Sequence, residues 1–255
     1  IRVKDGGKVV GEKTVPASAQ THAEIVLKKV KTWSPENPFL YDVEFDVLSS
    51  EGKVLDHVCS YAGMRKVHIV GNRLYINNEP VYLRLVLDQG FYPDGIWTAP
   101  SDAALKNDIE LSMAAGFNGA RLHQKVFEPR FHYWADRLGY LTWGESASWG
   151  ANINKPLSAR NFLTEWEETV VRDRNHPSII MWTPFNETWE LPDNREAARE
   201  ACRMVEDVYE LTKNLDYRPC HDVSGNYHTV PQTDVFSVHQ YEQDVEKFKE
   251  WMRLK

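Results

Sequence analysis

The chain has 255 residues, 42% hydrophobic and 26% charged, with a formal net charge of −7. That is globular composition, long enough for one large domain or two smaller ones. No basic patch with interleaved aromatics points to nucleic acid, and no apolar run approaches the ~20 residues of a membrane-spanning helix. Cys59, Cys202 and Cys220 are scattered and odd in number, so neither a disulfide framework nor a cysteine zinc site is expected.

In chain order, residues 1–65 read as all-β. Gly6-Gly7 is a hairpin turn, and Ala23 to Val30 alternates weakly through Ile25, Leu27 and Val30. Trp33-Ser34-Pro35-Glu36-Asn37-Pro38 is a turn-rich joint with one large aromatic anchor. Tyr41 to Leu48 alternates cleanly, turns at Ser49 to Gly52, and returns over Val54 to Tyr61. This predicts part of a β-sandwich. From residue 66 a hairpin follows, flanking Gly71-Asn72, and Val81 to Leu87 reads as a strand.

The texture then changes to alternating strands and helices. Ser101 can cap a helix carrying Leu105, Ile109 and Met113, which Gly116 stops. Phe117 to Leu122 is a strand, Pro129 to Leu138 a helix, and Tyr140 to Trp143 a strand. Asn161 is the expected cap of the next helix. Ile179 to Trp182 is a short apolar strand bounded by prolines, and Asp193 to Lys213 is an amphipathic helix. Tyr217 to Val223 and Val235 to Val238 are further strands, and a helix begins at Asp244. Six strand–helix units in succession predict a parallel sheet. No Gly-rich phosphate loop follows any strand, so no nucleotide cofactor is expected. Polar residues at successive strand ends fit a (β/α)8 barrel with its site at the C-terminal face. Ile1 falls inside a strand-like stretch and Lys255 inside a helical one. The expectation is therefore a fragment: 1–65 part of a sandwich domain, 66–255 a barrel domain lacking its last strands, its compartment not legible.

The strand ends offer Asp88, then Arg121 and His123, Glu145, Asn186 and Glu187, His221 and Asp222, and His239 with Tyr241. Asn186-Glu187 lies between Phe185 and Trp189. An amide can hold a hydroxyl, an indole face can stack on a pyranose, and a carboxyl among indoles can keep a proton near neutrality. Plainer roles are open to each: Arg121 and Glu145 as a structural ion pair, His123 as a hydrogen-bonded core histidine, and Trp143, Trp149 and Trp182 as core. A rival chemistry is a zinc site assembled from His123, His221, His239 and Asp88, as in metal-dependent barrel hydrolases. No strand carries His-x-His and no His-Glu-x-x-His occurs, so no metal is expected.

Several stretches resemble glycoside hydrolase family 2, the family of β-galactosidases, β-glucuronidases and β-mannosidases. Trp33 to Tyr41 resembles the end of its immunoglobulin-like domain. Gly63-Met64-Arg65-Lys66-Val67 and Leu74 to Val81 resemble the entry into its barrel, and Gly116 to His123 its second strand. Arg174-Asn175-His176-Pro177-Ser178 with Asn186-Glu187 resembles its acid/base segment. The likeness implies a retaining exo-acting enzyme of the β-galactosidase kind. Glu187 would be the acid/base and Asn186 the holder of the hydroxyl beside the anomeric carbon. Arg121 and His123 would line the sugar pocket. From their places at the strand ends, Asp88, Asp222, His239 and Trp189 are added as substrate-binding residues. Tyr241 would bond the nucleophile. That nucleophile, a Glu on the seventh strand, is expected beyond Lys255. The implied partner is a glycoside or oligosaccharide, with oligomerisation open to the parent protein. The alternative class is a non-catalytic carbohydrate-binding protein on the same scaffold.

Overall fold

The computed structural model describes residues 1–188, 198–225 and 228–253. Gly6 and Gly7, both at positive φ, turn β1 (Arg2–Asp5) into β2 (Lys8–Glu12). The far edge of β1 takes β3 (Tyr41–Leu48), which pairs with β4 (Val54–Ala62), giving an antiparallel sheet in the order β2-β1-β3-β4. The period-two pattern of β3 buries Tyr41 and Val43 and turns Asp42 to solvent. Residues 23–30, expected as a strand, form none. Ile25 and Leu27 instead lie over Gly11, where a Cβ would come within 2.6 and 2.9 Å of their side chains.

A hairpin unit follows, of β5 (Val67–Val70), β6 (Arg73–Ile76) and β7 (Glu79–Val81). Its Val67, Leu74 and Ile76 join Trp33 in one buried cluster with Leu141, Ile180 and Met181. The strand expected over 81–87 is divided, since Val81 belongs to the hairpin and β8 begins at Leu85. Then come β8 (Leu85–Asp88), α1 (Asp102–Ala114), β9 (Gly119–Leu122), α2 (Pro129–Leu138), β10 (Leu141–Glu145), α3 (Pro156–Asp173) and β11 (Ile179–Thr183). The four strands form one parallel sheet in the order β11-β10-β9-β8. The Ser101 hydroxyl accepts from the Ala104 amide and caps α1 as expected. Helix α3 starts at Pro156 rather than after Asn161, because proline's fixed φ suits a first helical position. Helices α1 and α2 cover β9 through Leu105, Ile109, Phe131 and Ala135. Helices α3 and α4 (Arg199–Leu215) cover β11 through Phe162, Trp166, Val205 and Val208. The expected start of that last helix, from Asp193, lies outside the described residues.

Pro184 splits the fourth barrel strand, since it has no N–H to give the ladder. The chain resumes as β12 (Phe185–Asn186), which pairs in parallel with β13 (Val223–Ser224). Residues 235–238, expected as a sixth strand, run beside the fifth without a ladder. Side chains replace the ladder bonds: Asp234 accepts from the Cys220 amide at 2.9 Å, Thr233 from Asp222 at 3.2 Å and Ser237 from Gly225 at 3.3 Å. Helix α5 (Val245–Arg253) closes the described chain. The architecture is the first part of a (β/α)8 barrel preceded by an immunoglobulin-like sandwich sheet.

One carboxylate joins the two parts. Asp136 on α2 accepts from the Tyr61 hydroxyl at 2.8 Å, from His176 Nδ1 at 2.6 Å and from the Ser178 amide at 2.9 Å. Its backbone carbonyl accepts the Trp33 indole N–H at 2.7 Å. Arg65 and Arg218 donate to the carbonyl of Ile179 at 3.0 and 2.8 Å, and Arg218 also reaches that of His176. Residues 174–178 therefore serve the joint at the N-terminal end of β11, the end opposite Glu187.

Candidate active site

Glu187 follows β12 with φ at +45°, in the left-handed region that costs a non-glycine residue free energy. Its amide donates to the Ser224 carbonyl at 2.8 Å, which holds that conformation against β13. The carboxyl is turned toward the chain after the sixth segment. Oε1 meets His239 Nδ1, and the Tyr241 hydroxyl lies 3.4 Å from the same oxygen. Its partners are thus an imidazole and a phenol, where the sequence suggested indoles. Trp189 lies outside the described residues.

Arg121, on β9, ties four strand ends together. Its Nε donates to Glu145 at 2.6 Å, Nη1 to Ser224 Oγ at 2.7 Å and Nη2 to Asn186 Oδ1 at 2.5 Å. Glu145 is almost fully buried, and burial pushes its carboxyl above the ordinary range against the pull of Arg121. Asn186 is 1% exposed. Arg121 holds its side-chain oxygen, and among the described residues Nδ2 is buried without a partner. Its backbone carbonyl accepts the Trp149 indole N–H at 2.9 Å. Trp149 is half exposed and packs edge-on to His123, ring centroids 5.3 Å apart. Burial and the neighbouring Arg121 push His123 down to about 4, so this ring is neutral at physiological pH. The Gln89 amide stands 3.0 Å from His123 Nδ1, which leaves the ring proton to Nε2.

The structure brings Arg121, Asn186, Glu187, His239 and Tyr241 into one hydrogen-bonded set, with His123 beside it. Asp88 and Asp222 are engaged elsewhere. Asp88 accepts from the Gly90 amide at 2.8 Å, and burial pushes its carboxyl up. Asp222 accepts from His228 Nδ1 and from the amides of Thr229 and Val230, all at 2.8–3.1 Å. Among the described residues, the group whose donor atoms lie within 4.8 Å of one another is His221, Asp222 and His228. The zinc set considered from sequence, His123, His221, His239 and Asp88, is not assembled. His228 is already satisfied, between Asp222 and the Ser237 carbonyl at 3.0 Å.

A family description, glycosyl hydrolases family 2, matches residues 1–65, and that of the same family's TIM barrel domain matches 67–255. The chain belongs to glycosyl hydrolases family 2. A β-galactosidase of Pseudoalteromonas haloplanktis is 30% identical over 64% of this chain and 16% of its own length. One of Vibrio cholerae is 27% identical over 90% of this chain and 22% of its own. The chain thus spans about a fifth of the length of these relatives. In fold it superimposes on a β-glucuronidase of Bifidobacterium dentium with a TM-score of 0.80, at 23% identity, over 91% of this chain and 39% of that one.

In this family 2 chain, sequence reasoning passed over Ser224, Ser148 and Gln124. Ser148 Oγ meets the Asn186 amide at 3.2 Å and the Gln124 side chain at 2.9 Å. A lone serine at a strand end carries no pattern. Only the parallel pairing of Asn186 with Ser224 shows what it does.

Proposed function

We propose that the protein carrying this chain is a retaining exo-β-glycosidase of the β-galactosidase kind, with Glu187 as its acid/base. A retaining enzyme needs two carboxyls about 5–5.5 Å apart, one to protonate the departing oxygen and one to attack the anomeric carbon. Glu187 supplies the first. The second is assigned to a further barrel strand, because the other carboxyls at the described strand ends, Glu145, Asp222 and Asp88, are bound to Arg121, to His228 and to the Gly90 amide. Asn186 donates through Nδ2 to the hydroxyl beside the anomeric carbon. His123 offers a neutral N–H, Arg121 orients Asn186, and Tyr241 and His239 line the Glu187 side. Asp88 and Asp222 shape the turns beneath.

The observation that carries this reading is the amide of Asn186. It is buried, held by its oxygen, and left with a free donor next to a carboxyl in a strained backbone conformation. Leaving such a donor unmade costs about 1–3 kcal/mol, which a substrate hydroxyl would recover. The β-galactosidase assignment is supported by the names of the curated relatives.

Glu187→Gln in the full-length protein tests the role. Activity on glycosides with poor leaving groups should fall by roughly 10²–10⁴, the range of general acid catalysis. Activated aryl glycosides should be spared at the glycosylation step. Equal loss on both removes Glu187 as the acid, and no turnover in the unaltered protein favours a carbohydrate-binding protein.

A further inference from the structure

We infer that His239 is a positioning residue that decides which oxygen of Glu187 carries the exchanged proton; the inference rests on Glu187 being the acid/base. A guanidinium only donates, so Arg121 Nη1 gives its proton to Ser224 Oγ at 2.7 Å. Ser224 keeps its own proton to give, and among the described residues His239 Nε2, at 2.9 Å, is the acceptor within its reach. With Nε2 accepting, the ring proton sits on Nδ1 and points at Glu187 Oε1. The Tyr241 hydroxyl donates to that oxygen too. Among the described residues, Oε2 is left without a hydrogen bond.

Oε1 can accept from His239 and Tyr241 whether the carboxyl is charged or neutral. The exchanged proton therefore belongs to Oε2. It leaves Oε2 for the glycosidic oxygen as the carbon–oxygen bond breaks and the nucleophilic carboxylate bonds to the anomeric carbon. It is replaced from water as the water oxygen displaces that carboxylate. His239 keeps one tautomer through both steps, so no proton has to cross the ring. Gly225 makes room for this geometry, because a Cβ there would lie 3.2 Å from Glu187 Cγ and 3.7 Å from the His239 ring.

Among the described residues, the ionisable groups facing Glu187 are His239 and Tyr241 from the segment after the sixth strand position and His123 at the end of β9, with Arg121 linked to it through Ser224 and His239. Removing the His239 donor weakens the hold on the carboxylate more than on the neutral acid, because a hydrogen bond to a charged oxygen is the stronger one. In the full-length protein, His239→Leu should lower kcat/KM on poor leaving groups about tenfold. It should also move the alkaline limb of the kcat/KM profile to higher pH. His239→Asn keeps an N–H within reach of Oε1 and should bring the limb back. Ser224→Ala frees the tautomer and should shift the limb in the same direction by less. A folded His239→Leu with an unmoved limb, or His239→Asn that fails to restore it, overturns the inference. If His239→Leu does not fold, an unmoved limb in Ser224→Ala overturns it instead. Glu187→Gln is measured alongside. Full retention of rate there removes the acid/base reading itself, whereas collapse there with an unmoved limb in His239→Leu removes only the role of His239.

Discussion

Arg121 reaches three partners from three other strands, and each bond uses a different nitrogen of one rigid fork. Its counter-ion Glu145 has a fully buried side chain, so removing the cation strands a charge that water cannot reach. Breaking such a pair costs about 3–5 kcal/mol. Arg121→Met should lower stability by that order in urea unfolding, and Arg121→Lys should recover little, since an ammonium cannot span the three acceptors. A loss under about 1 kcal/mol would mean that Glu145 finds another partner or takes up a proton. Glycine matters at one similar point. Gly139 ends α2 at φ +74°, and a Cβ there would lie 2.2 Å from the Pro35 carbonyl oxygen. The turn-rich joint can lie against the barrel helix only because that atom is missing.

At the scale of elements, the fifth strand and the segment after it lie together without a ladder. Side chains hold them instead, and Asp222 with His228 anchors the turn between them. Burial works against the charged ring of His228, but the Asp222 carboxylate and the Ser237 carbonyl outweigh it and hold the ring above its ordinary value. Burial likewise opposes the Asp222 charge, and His228 with the amides of Val230 and Val223 holds that carboxyl below its own. The stability His228 supplies is complete below its unfolded value of about 6.5 and is lost as pH rises through the raised folded one. The stability Asp222 supplies is complete above about 3.9 and is lost as pH falls through the lowered folded one. The cost of His228→Gln in thermal melts should therefore be largest near pH 5–6 and shrink as the solution is made alkaline. A cost that does not vary with pH would show that the ring is held neutral.

At the scale of the whole molecule, the described barrel strands form an open sheet in the order β11-β10-β9-β8. A groove of about 910 Å³ lies between the β6–β7 hairpin and residues 233–236, with Met181 at its floor. Closing a barrel requires every strand to find a neighbour on both sides. On the proposal that the attacking carboxyl comes from a further barrel strand, the 255-residue chain alone is expected to hydrolyse no aryl β-galactoside, even at high enzyme concentration. Turnover by the purified chain that disappears in Glu187→Gln would place a nucleophile within these residues.

The sequence by itself determined the elements and their class. Hydrophobic period, a serine cap and turn glycines are local signals, so β3, α1, α2 and the alternation of strand and helix could be read without coordinates. The same holds for Asn186-Glu187 at a strand end and for the pairing of Arg121 with Glu145. Tertiary structure decided what local pattern cannot carry. Residues 174–178 are contiguous with the site in sequence, yet they fasten the sandwich to the barrel, because a strand separates its two ends in space. Ser224 and His239 face Glu187 only because parallel strands bring residues far apart in the chain to one rim. Hydrogen bonds between such residues depend on register, and register is set by the packed sheet rather than by any stretch of the chain.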